Sequence, residues 1–126
     1  MKKYNLINRI MGWVIFTIAA VVYLLTIEPT TSFWDCGEFI TTSYKLEVGH
    51  PPGAPLFMIF GRFFTLWSKP VNAALMVNAM SALASAFTVM FLFWTITHLA
   101  KKLINNGDTI SNPAAFSIMS AGVIGA

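Results

Sequence analysis

Two long stretches of the chain carry no charged side chain and have the length of membrane spans. The first covers residues 10–27, which as an α-helix would reach about 27 Å, close to the roughly 30 Å hydrocarbon core of a bilayer. The second covers residues 71–100 and is closed by Lys101 and Lys102. It is longer than a straight span needs, so we expect it either to tilt or to begin in the interface. The pattern predicts two transmembrane helices, at residues 10–27 and 70–100.

A third apolar run, residues 114–126, is too short to cross a bilayer. Turn-forming residues before it predict a loop over residues 101–113. We interpret the run as the start of a third span, and the sequence as the N-terminal piece of a longer chain. The first run is interpreted as a retained anchor because no small-residue cleavage site follows it, as it would in a signal peptide. The predicted fold class is an all-α membrane protein, the N-terminal fragment of a multi-span helical bundle.

The charges that flank the first span predict its orientation. Lys2, Lys3 and Arg9 precede it, whereas residues 28–50 contain four acidic residues and one lysine. Positively charged flanks tend to stay on the cytoplasmic side of a membrane. We therefore expect residues 1–9 in the cytoplasm and an outer loop, residues 28–69, outside the cytoplasmic (inner) membrane.

The outer loop contains the signals for two short helices and a rigid turn. Ser32 or Thr31 can cap a helix over residues 33–48, and the prolines within residues 49–55 prevent this helix from continuing. Beyond the turn, large apolar side chains recur at helical spacing, at Leu56, Ile59, Phe60, Phe63, Phe64 and Trp67. Because Arg62 lies off this stripe and the segment is too short to span, we predict an amphipathic helix in the outer interface.

The composition excludes several classes of function. Hydrophobic residues make up 56% of the chain and charged residues only 10%, against roughly 25% charged in soluble domains. The net charge of +3 comes from lysines and arginines at the borders of apolar runs, which argues against nucleic-acid binding. Cys36 is the single cysteine, and the two histidines are far apart, so no zinc-site spacing exists. We expect no metal ligands and no evident cofactor, and leave a divalent-metal requirement open.

Two acidic residues of the outer loop are candidates for chemistry. Asp35 and Glu38 are three residues apart, so a helix places both carboxylates on one face, where one could act as a general base. The alternative for Asp35 is structural, because Ser32 to Asp35 has the spacing of a capping box. The alternative for Glu38 is a solvated residue that reaches Lys45 or Thr42. Spacing alone leaves both alternatives open.

Two cationic residues of the loop are candidates for binding a substrate. His50 precedes two prolines and is held extended, where it can donate to a phosphate or a sugar hydroxyl. The alternative is a turn histidine satisfied by backbone groups. Arg62 lies among aromatic residues, where a guanidinium can bind a phosphate bidentately or snorkel toward lipid headgroups. These residues by themselves name no substrate.

Two sequence motifs resemble those of a known family. They are EPTTSFWDCGEFI at residues 28–40 and YKLEVGHPPGAPL at residues 44–56, followed by Gly61 and Arg62. Together they resemble the N-terminus of a bacterial integral-membrane family formerly of unknown function. That family is similar to the transmembrane protein O-mannosyltransferases of the glycosyltransferase C superfamily.

The resemblance implies an enzyme with many spans whose first outer loop carries an essential acid. Its donor would be a polyprenyl-phosphate sugar, with mannose among the candidates, and its acceptor a protein or glycan hydroxyl. Carried over to this sequence, Asp35 becomes the candidate base and Glu38 its helper. His50 and Arg62 become candidates for binding the leaving phosphate. The chain alone is expected to be inactive, because further helices would hold the lipid and the acceptor.

Two other functions remain as alternatives. A transporter-like module would carry charged residues within its spans, and apart from His98 the two predicted spans contain none. A non-catalytic membrane scaffold would use the outer loop to contact a partner, with Asp35 serving only as a helix cap. The enzyme and the scaffold differ in whether the loss of the Asp35 carboxylate abolishes transfer at unchanged stability.

Overall fold

The computed structural model describes residues 2–51, 53–104 and 110–126. Over these residues the regular structure is entirely helical, so the all-α prediction is confirmed. The α-helices are α1 (Lys2–Leu25), α2 (Cys36–Lys45), α3 (Pro55–Thr65), α4 (Ala73–Ile104) and α5 (Asn112–Gly125), with a short 3-10 turn at Pro70–Asn72 before α4.

Two of the described helices are long and apolar enough to cross a membrane, in agreement with the prediction. They are Lys2–Leu25, with 24 residues, and Pro70–Ile104, with 35 residues. Both extend beyond the uncharged runs, because a helix does not end where its side chains become polar. The lysines that close α4 lie in its last turn, where cations interact favourably with the helix dipole. Residues 105–109 of the predicted cytoplasmic loop lie outside the described residues.

The fifth helix begins close to the predicted start of the third apolar run. Ser111 is its N-cap, and the Ser111 side chain accepts a hydrogen bond from the Ala114 backbone N–H. Pro113 lies in its first turn, where a proline costs no intrahelical hydrogen bond. These local signals explain why α5 begins at Asn112.

The chain divides into two compact units. The first comprises the described parts of residues 1–22 and 85–126. In it α1 packs closely on α4, because Gly12 lies directly against the Trp94 indole: a Cβ at residue 12 would be 2.2 Å from Trp94 Nε1. The same Nε1 donates to the Asn8 carbonyl at 3.1 Å. Phe93, on α4, is fully buried and lies where a Cβ at Gly122 of α5 would collide with it.

The second unit, residues 23–84, contains the outer loop and the first part of α4. Its apolar core is formed by Ile40 of α2 and by Ala73, Val77 and Met80. Helix α3 packs on α2 through its less apolar face, where Met58, Gly61 and Thr65 are buried. The Met58 sulfur accepts hydrogen bonds from two α2 hydroxyls, those of Thr42 and Ser43.

The apolar stripe of α3 faces away from α2. Most of its large side chains are exposed, namely Leu56, Ile59, Phe60, Phe63 and Trp67, and Phe64 is the half-buried member. In an aqueous protein such a surface would be unfavourable. The exposure therefore agrees with the predicted contact with lipid, which itself stays a prediction.

The predicted cap of the first loop helix is wrong. Helix α2 begins at Cys36 and not at Phe33, and the Ser32 hydroxyl donates to the Cys36 sulfur at 3.1 Å instead of capping the helix. The physical reason is Trp34, whose φ of 71° lies in the left-handed region and interrupts any helix that starts earlier. At the other end, Leu46 is also left-handed, with φ 55°, so α2 stops before the predicted residue 48.

Candidate active site

Asp35 occupies the position immediately before α2, with its side chain exposed. Its backbone carbonyl accepts the Phe39 N–H at 3.0 Å, which is the first hydrogen bond of the helix. Its carboxylate makes no capping hydrogen bond, and no ion pair to it is found within the described residues. Asp35 thus stands at the N-cap position of α2 without the side-chain hydrogen bond of a capping box, and its role in catalysis stays a prediction.

Glu38 and His50 form a two-point polar contact across the loop. One carboxylate oxygen, Oε1, accepts the His50 backbone N–H at 2.7 Å, and the other, Oε2, lies 2.8 Å from the ring nitrogen Nδ1. Glu38 does not reach Lys45, which instead lies 3.8 Å from Glu47. The structure thus brings together two of the predicted site residues that are twelve positions apart.

The backbone around His50 is shaped for this contact. The Gly53 N–H donates to the His50 carbonyl at 2.9 Å, and Gly53 has φ 70°, a conformation that glycine adopts without strain. At Gly49 an added Cβ would lie only 3.0 Å from Glu38 Oε1. A glycine at residue 49 therefore lets the carboxylate approach the backbone of the turn.

The contact shifts the pKa values of both Glu38 and His50. The hydrogen bond from the His50 backbone N–H, followed by that from its ring, holds the pKa of Glu38 below its ordinary value. The hydrogen bond and charge of Glu38 raise the pKa of His50, and the charge of Asp35 raises the same pKa further. The contact thus favours the charged forms of both Glu38 and His50, and the charge of Asp35 acts on the imidazole in the same direction.

Arg62 is separate from these three residues. Its guanidinium donates through Nη1 to the backbone carbonyl of Tyr44, and its Cζ lies 5.3 Å from the centre of the Tyr44 ring. The carbonyl belongs to the last turn of α2, where helix C=O groups lack intrahelical partners. The contact therefore stabilises the end of α2, and the phosphate role of Arg62 stays a prediction.

Asn78 of α4 is a site residue that the sequence analysis missed. Its side-chain Nδ2 donates to the Glu28 carbonyl at 2.8 Å and to the Thr30 carbonyl at 3.0 Å. Glu28 in turn accepts hydrogen bonds from the hydroxyl and the N–H of Thr30, and these bonds lower the pKa of Glu28. The sequence does contain a signal for Asn78, because a side-chain amide within a long apolar run needs hydrogen-bond partners. Asn78 attaches the segment that leads to Asp35.

A cavity of about 280 Å³ lies at the beginning of α2. Cys36 and Asn78 contribute polar atoms to a mainly apolar wall, which is completed by Phe39, Ile40, Ala54, Phe57, Val77 and Ser81. Cys36 is half-buried there, in agreement with a packing role. Over the part of the chain that the structure describes, no group of three His, Cys, Asp or Glu side chains could hold a metal ion.

The comparison with protein families identifies the group to which the sequence belongs. Residues 35–126 match the sequence model described as the protein O-mannosyl-transferase TMEM260 N-terminal domain. The chain belongs to this family. The resemblance to the O-mannosyltransferases is thereby confirmed, and all four predicted site residues lie within the matched TMEM260 domain.

Individual relatives agree with this assignment. The chain is 30% identical over 84 residues to the protein O-mannosyl-transferase tmem260 of Dictyostelium discoideum, which covers 65% of this chain and 10% of that protein. It is 33% identical over 86 residues to the protein O-mannosyl-transferase TMEM260 of Mus musculus, covering 68% of this chain and 12% of that protein. The chain thus spans about a tenth of the length of these TMEM260 relatives. No solved structure matches it.

Proposed function

We propose that this chain forms the catalytic outer loop of a glycosyltransferase of the C type. The enzyme transfers a sugar, mannose by analogy with the printed names of its relatives, from a polyprenyl-phosphate donor to a hydroxyl group of a protein or glycan. The observation that carries the proposal is the free carboxylate of Asp35. Asp35 lies immediately before the first loop helix and makes no capping hydrogen bond, and its charge acts on His50, which is paired with Glu38.

In the proposed reaction Asp35 is the general base. The acceptor oxygen attacks the anomeric carbon of the sugar while its proton passes to the Asp35 carboxylate. The bond from the anomeric carbon to the phosphate oxygen breaks with inversion, and the lipid phosphate leaves with the electron pair. Because this leaving group is a stable anion, it needs a cation near it more than it needs an acid.

The arrangement of the loop favours His50 over Arg62 as that cation. His50 is half-exposed and its contact with Glu38 favours the charged imidazole, whereas the Arg62 guanidinium already donates to the Tyr44 carbonyl. Arg62 retains further N–H donors and stays a secondary candidate for the phosphate. The apolar cavity at Cys36 provides a suitable surface for the first part of the polyprenyl chain.

The proposed topology places this chemistry outside the cytoplasmic membrane. The basic residues of the first helix, Lys2, Lys3 and Arg9, would remain on the cytoplasmic side together with Lys101 and Lys102 of α4. The outer loop, residues 28–69, with its acids, would then lie on the opposite face. Cysteine labelling from either side of intact cells tests this orientation.

The experiment that tests the proposal uses the complete gene product in membranes supplied with polyprenyl-phosphate mannose and hydroxyl acceptors. The Asp35→Asn variant should lose transfer by about 100-fold or more while its thermal unfolding is unchanged. Ser32→Ala serves as a matched control, because among the described residues the Ser32 hydroxyl donates to Cys36, and its loss should leave transfer intact. Parallel assays with Mg²⁺ and with a chelator test a metal requirement. Full transfer by Asp35→Asn would rule out the proposed base.

The scaffold alternative predicts a different result in the same experiment. If Asp35 served only to stabilise α2, then Asp35→Asn would lower the unfolding temperature, whereas Ser32→Ala would not, because the Ser32 hydroxyl does not cap the helix. Transfer, if present, would fall only in proportion to the lost folded protein. The open carboxylate of Asp35 argues for the catalytic outcome.

A further inference from the structure

We propose that Glu38 is a positioning residue: it fixes the His50 imidazole so that the ring's Nε2–H is presented to an anionic oxygen of the substrate. In this arrangement Glu38 acts through His50 and is not a second base beside Asp35. The nature of the anion, the phosphate of a lipid-linked sugar, rests on the proposed function. The orientation of the imidazole follows from the contacts alone.

Glu38 holds His50 at two separate points. The 2.7 Å contact from the His50 backbone N–H to Oε1 fixes the position of the residue. The 2.8 Å contact between Nδ1 and Oε2 fixes the rotation of the ring. Because a carboxylate only accepts hydrogen bonds, Nδ1 must carry a proton. The ring therefore turns its other nitrogen, Nε2, away from Glu38.

The Nε2 atom is available to a ligand. It makes no hydrogen bond to any residue that the structure describes, and the His50 side chain is 53% exposed. The Phe39 ring lies 6.5 Å from the imidazole in an edge arrangement, so one side of the ring is bounded by an apolar group. The charged side chains that act on His50 are Glu38 and Asp35. Both favour the imidazolium, in which Nε2 is a hydrogen-bond donor.

The same contacts make Glu38 a poor proton acceptor. Both of its oxygens are engaged with His50, and these bonds hold the pKa of Glu38 low. A general base needs a carboxylate that is free to take a proton within reach of the acceptor. The Asp35 carboxylate makes no capping hydrogen bond, so it is the candidate for the base in the proposed reaction, and Glu38 is not. The two acids therefore have different tasks, although Asp35 lies immediately before α2 and Glu38 in its first turn.

The first test measures the titration of His50 directly in the complete gene product. Diethyl pyrocarbonate acylates neutral imidazole, so the pH dependence of acylation at residue 50, followed by peptide mass spectrometry, reports the pKa of His50. In the wild type the midpoint should lie above the ordinary value of 6.5. In Glu38→Gln it should move down toward that value, and in the control Glu47→Gln it should stay. An unchanged midpoint in Glu38→Gln would overturn the proposal.

The second test separates a positioning role from a catalytic one. Polyprenyl-phosphate mannose transfer is measured against pH and donor concentration for Glu38→Gln, His50→Ala and the double variant. Loss of the oriented charge should raise KM for the donor about tenfold, as for one hydrogen bond to a charged group, and shift the alkaline limb of the profile to lower pH. The double variant should be no worse than His50→Ala.

Additive losses in the double variant, or a fall in kcat with an unchanged KM, would overturn the proposal. These outcomes are distinct from a failure of the proposed function. If Asp35→Asn retained full transfer, the base assignment would fail, while the acylation midpoint of His50 would still decide whether Glu38 orients the ring. Glu47→Gln should behave as the wild type in both assays, because the Glu47 carboxylate is exposed and its ion pair is with the exposed Lys45.

Discussion

Gly61 of α3 lies directly against Ser43 of α2. A Cβ at residue 61 would be 2.7 Å from both the Cβ and the Oγ of Ser43, a distance that side chains do not adopt. Ser43 is fully buried, so neither residue has room to move away. This close approach sets the separation of the two loop helices, and α2 carries both acids of the candidate site.

The substitution Gly61→Ala should therefore destabilise the loop. We expect a loss of about 1–3 kcal/mol from overpacking, seen as a lower unfolding temperature in detergent. Gly37→Ala is the matched control, since a Cβ at Gly37 would meet only Thr31 Cγ2 at 3.9 Å and alanine favours the helix. A Gly61→Ala protein as stable as the wild type would contradict the packing described for α2 and α3.

Leu46 offers the opposite change, a stabilising substitution. It terminates α2 in the left-handed conformation, with φ 55°, and its side chain is exposed. Replacing it with glycine removes the steric cost of this conformation, so Leu46→Gly should gain about 0.5–1 kcal/mol. Lys45→Gly, one residue earlier and inside the helix, should instead lose about 1 kcal/mol. Chemical denaturation of the two variants in the same detergent checks both signs.

The Glu38–His50 pair predicts a pH window of stability. Because the pKa of Glu38 is lowered, its contribution is present above the ordinary value of 4.5 and is lost as the pH falls through the lowered pKa. Because the pKa of His50 is raised, its contribution is complete below 6.5 and is lost as the pH rises through the raised pKa. The difference in unfolding temperature between the wild type and Glu38→Gln should thus be largest between about pH 4.5 and 6.5. A difference that is constant from pH 4 to pH 9 would show that no ion pair forms.

The hydrogen bonds of Asn78 should keep residues 28–34, the segment before Asp35, in a fixed conformation. Asn78→Asp replaces the Nδ2 donor with an acceptor, so both hydrogen bonds to the Glu28 and Thr30 carbonyls are lost and oxygen atoms face each other. Amide hydrogen exchange over residues 28–34 should become faster, with a stability loss of about 1–3 kcal/mol. Asn72→Asp, at an exposed residue, is the control and should leave this exchange unchanged.

The features that could be predicted from the sequence are those set by the bilayer or by local spacing. The lengths of the uncharged runs predicted α1 and α4, because a membrane imposes a minimum length on any apolar helix. The stripe from Leu56 to Trp67 predicted α3 and the exposure of most of its large side chains. These signals are contained in residues near one another in the chain, so no tertiary contact is needed to interpret them.

The sequence failed where distant residues decide the structure. The capping pattern at Ser32 was misleading because the left-handed Trp34 delays the start of α2. Glu38 and His50 were identified one by one, but their contact depends on the turn after α2, whose geometry no spacing rule predicts. The Asn78 side chain donates a hydrogen bond to Thr30, which lies 48 positions earlier. A contact between residues so far apart produces no periodic pattern in the sequence.

Residues that follow α2 in the chain form hydrogen bonds with both ends of the helix. The guanidinium of Arg62 holds the Tyr44 carbonyl in the last turn, and the His50 backbone and ring hold Glu38 in the first turn. With Gly61 pressed against its middle, α2 can neither slide nor rotate independently of α3. We therefore expect α2 and α3 to move together, with Asp35 at the N-terminal end of α2. With α3 in its predicted interfacial position, we expect that a change of bilayer thickness that moves α3 also moves the Asp35 carboxylate.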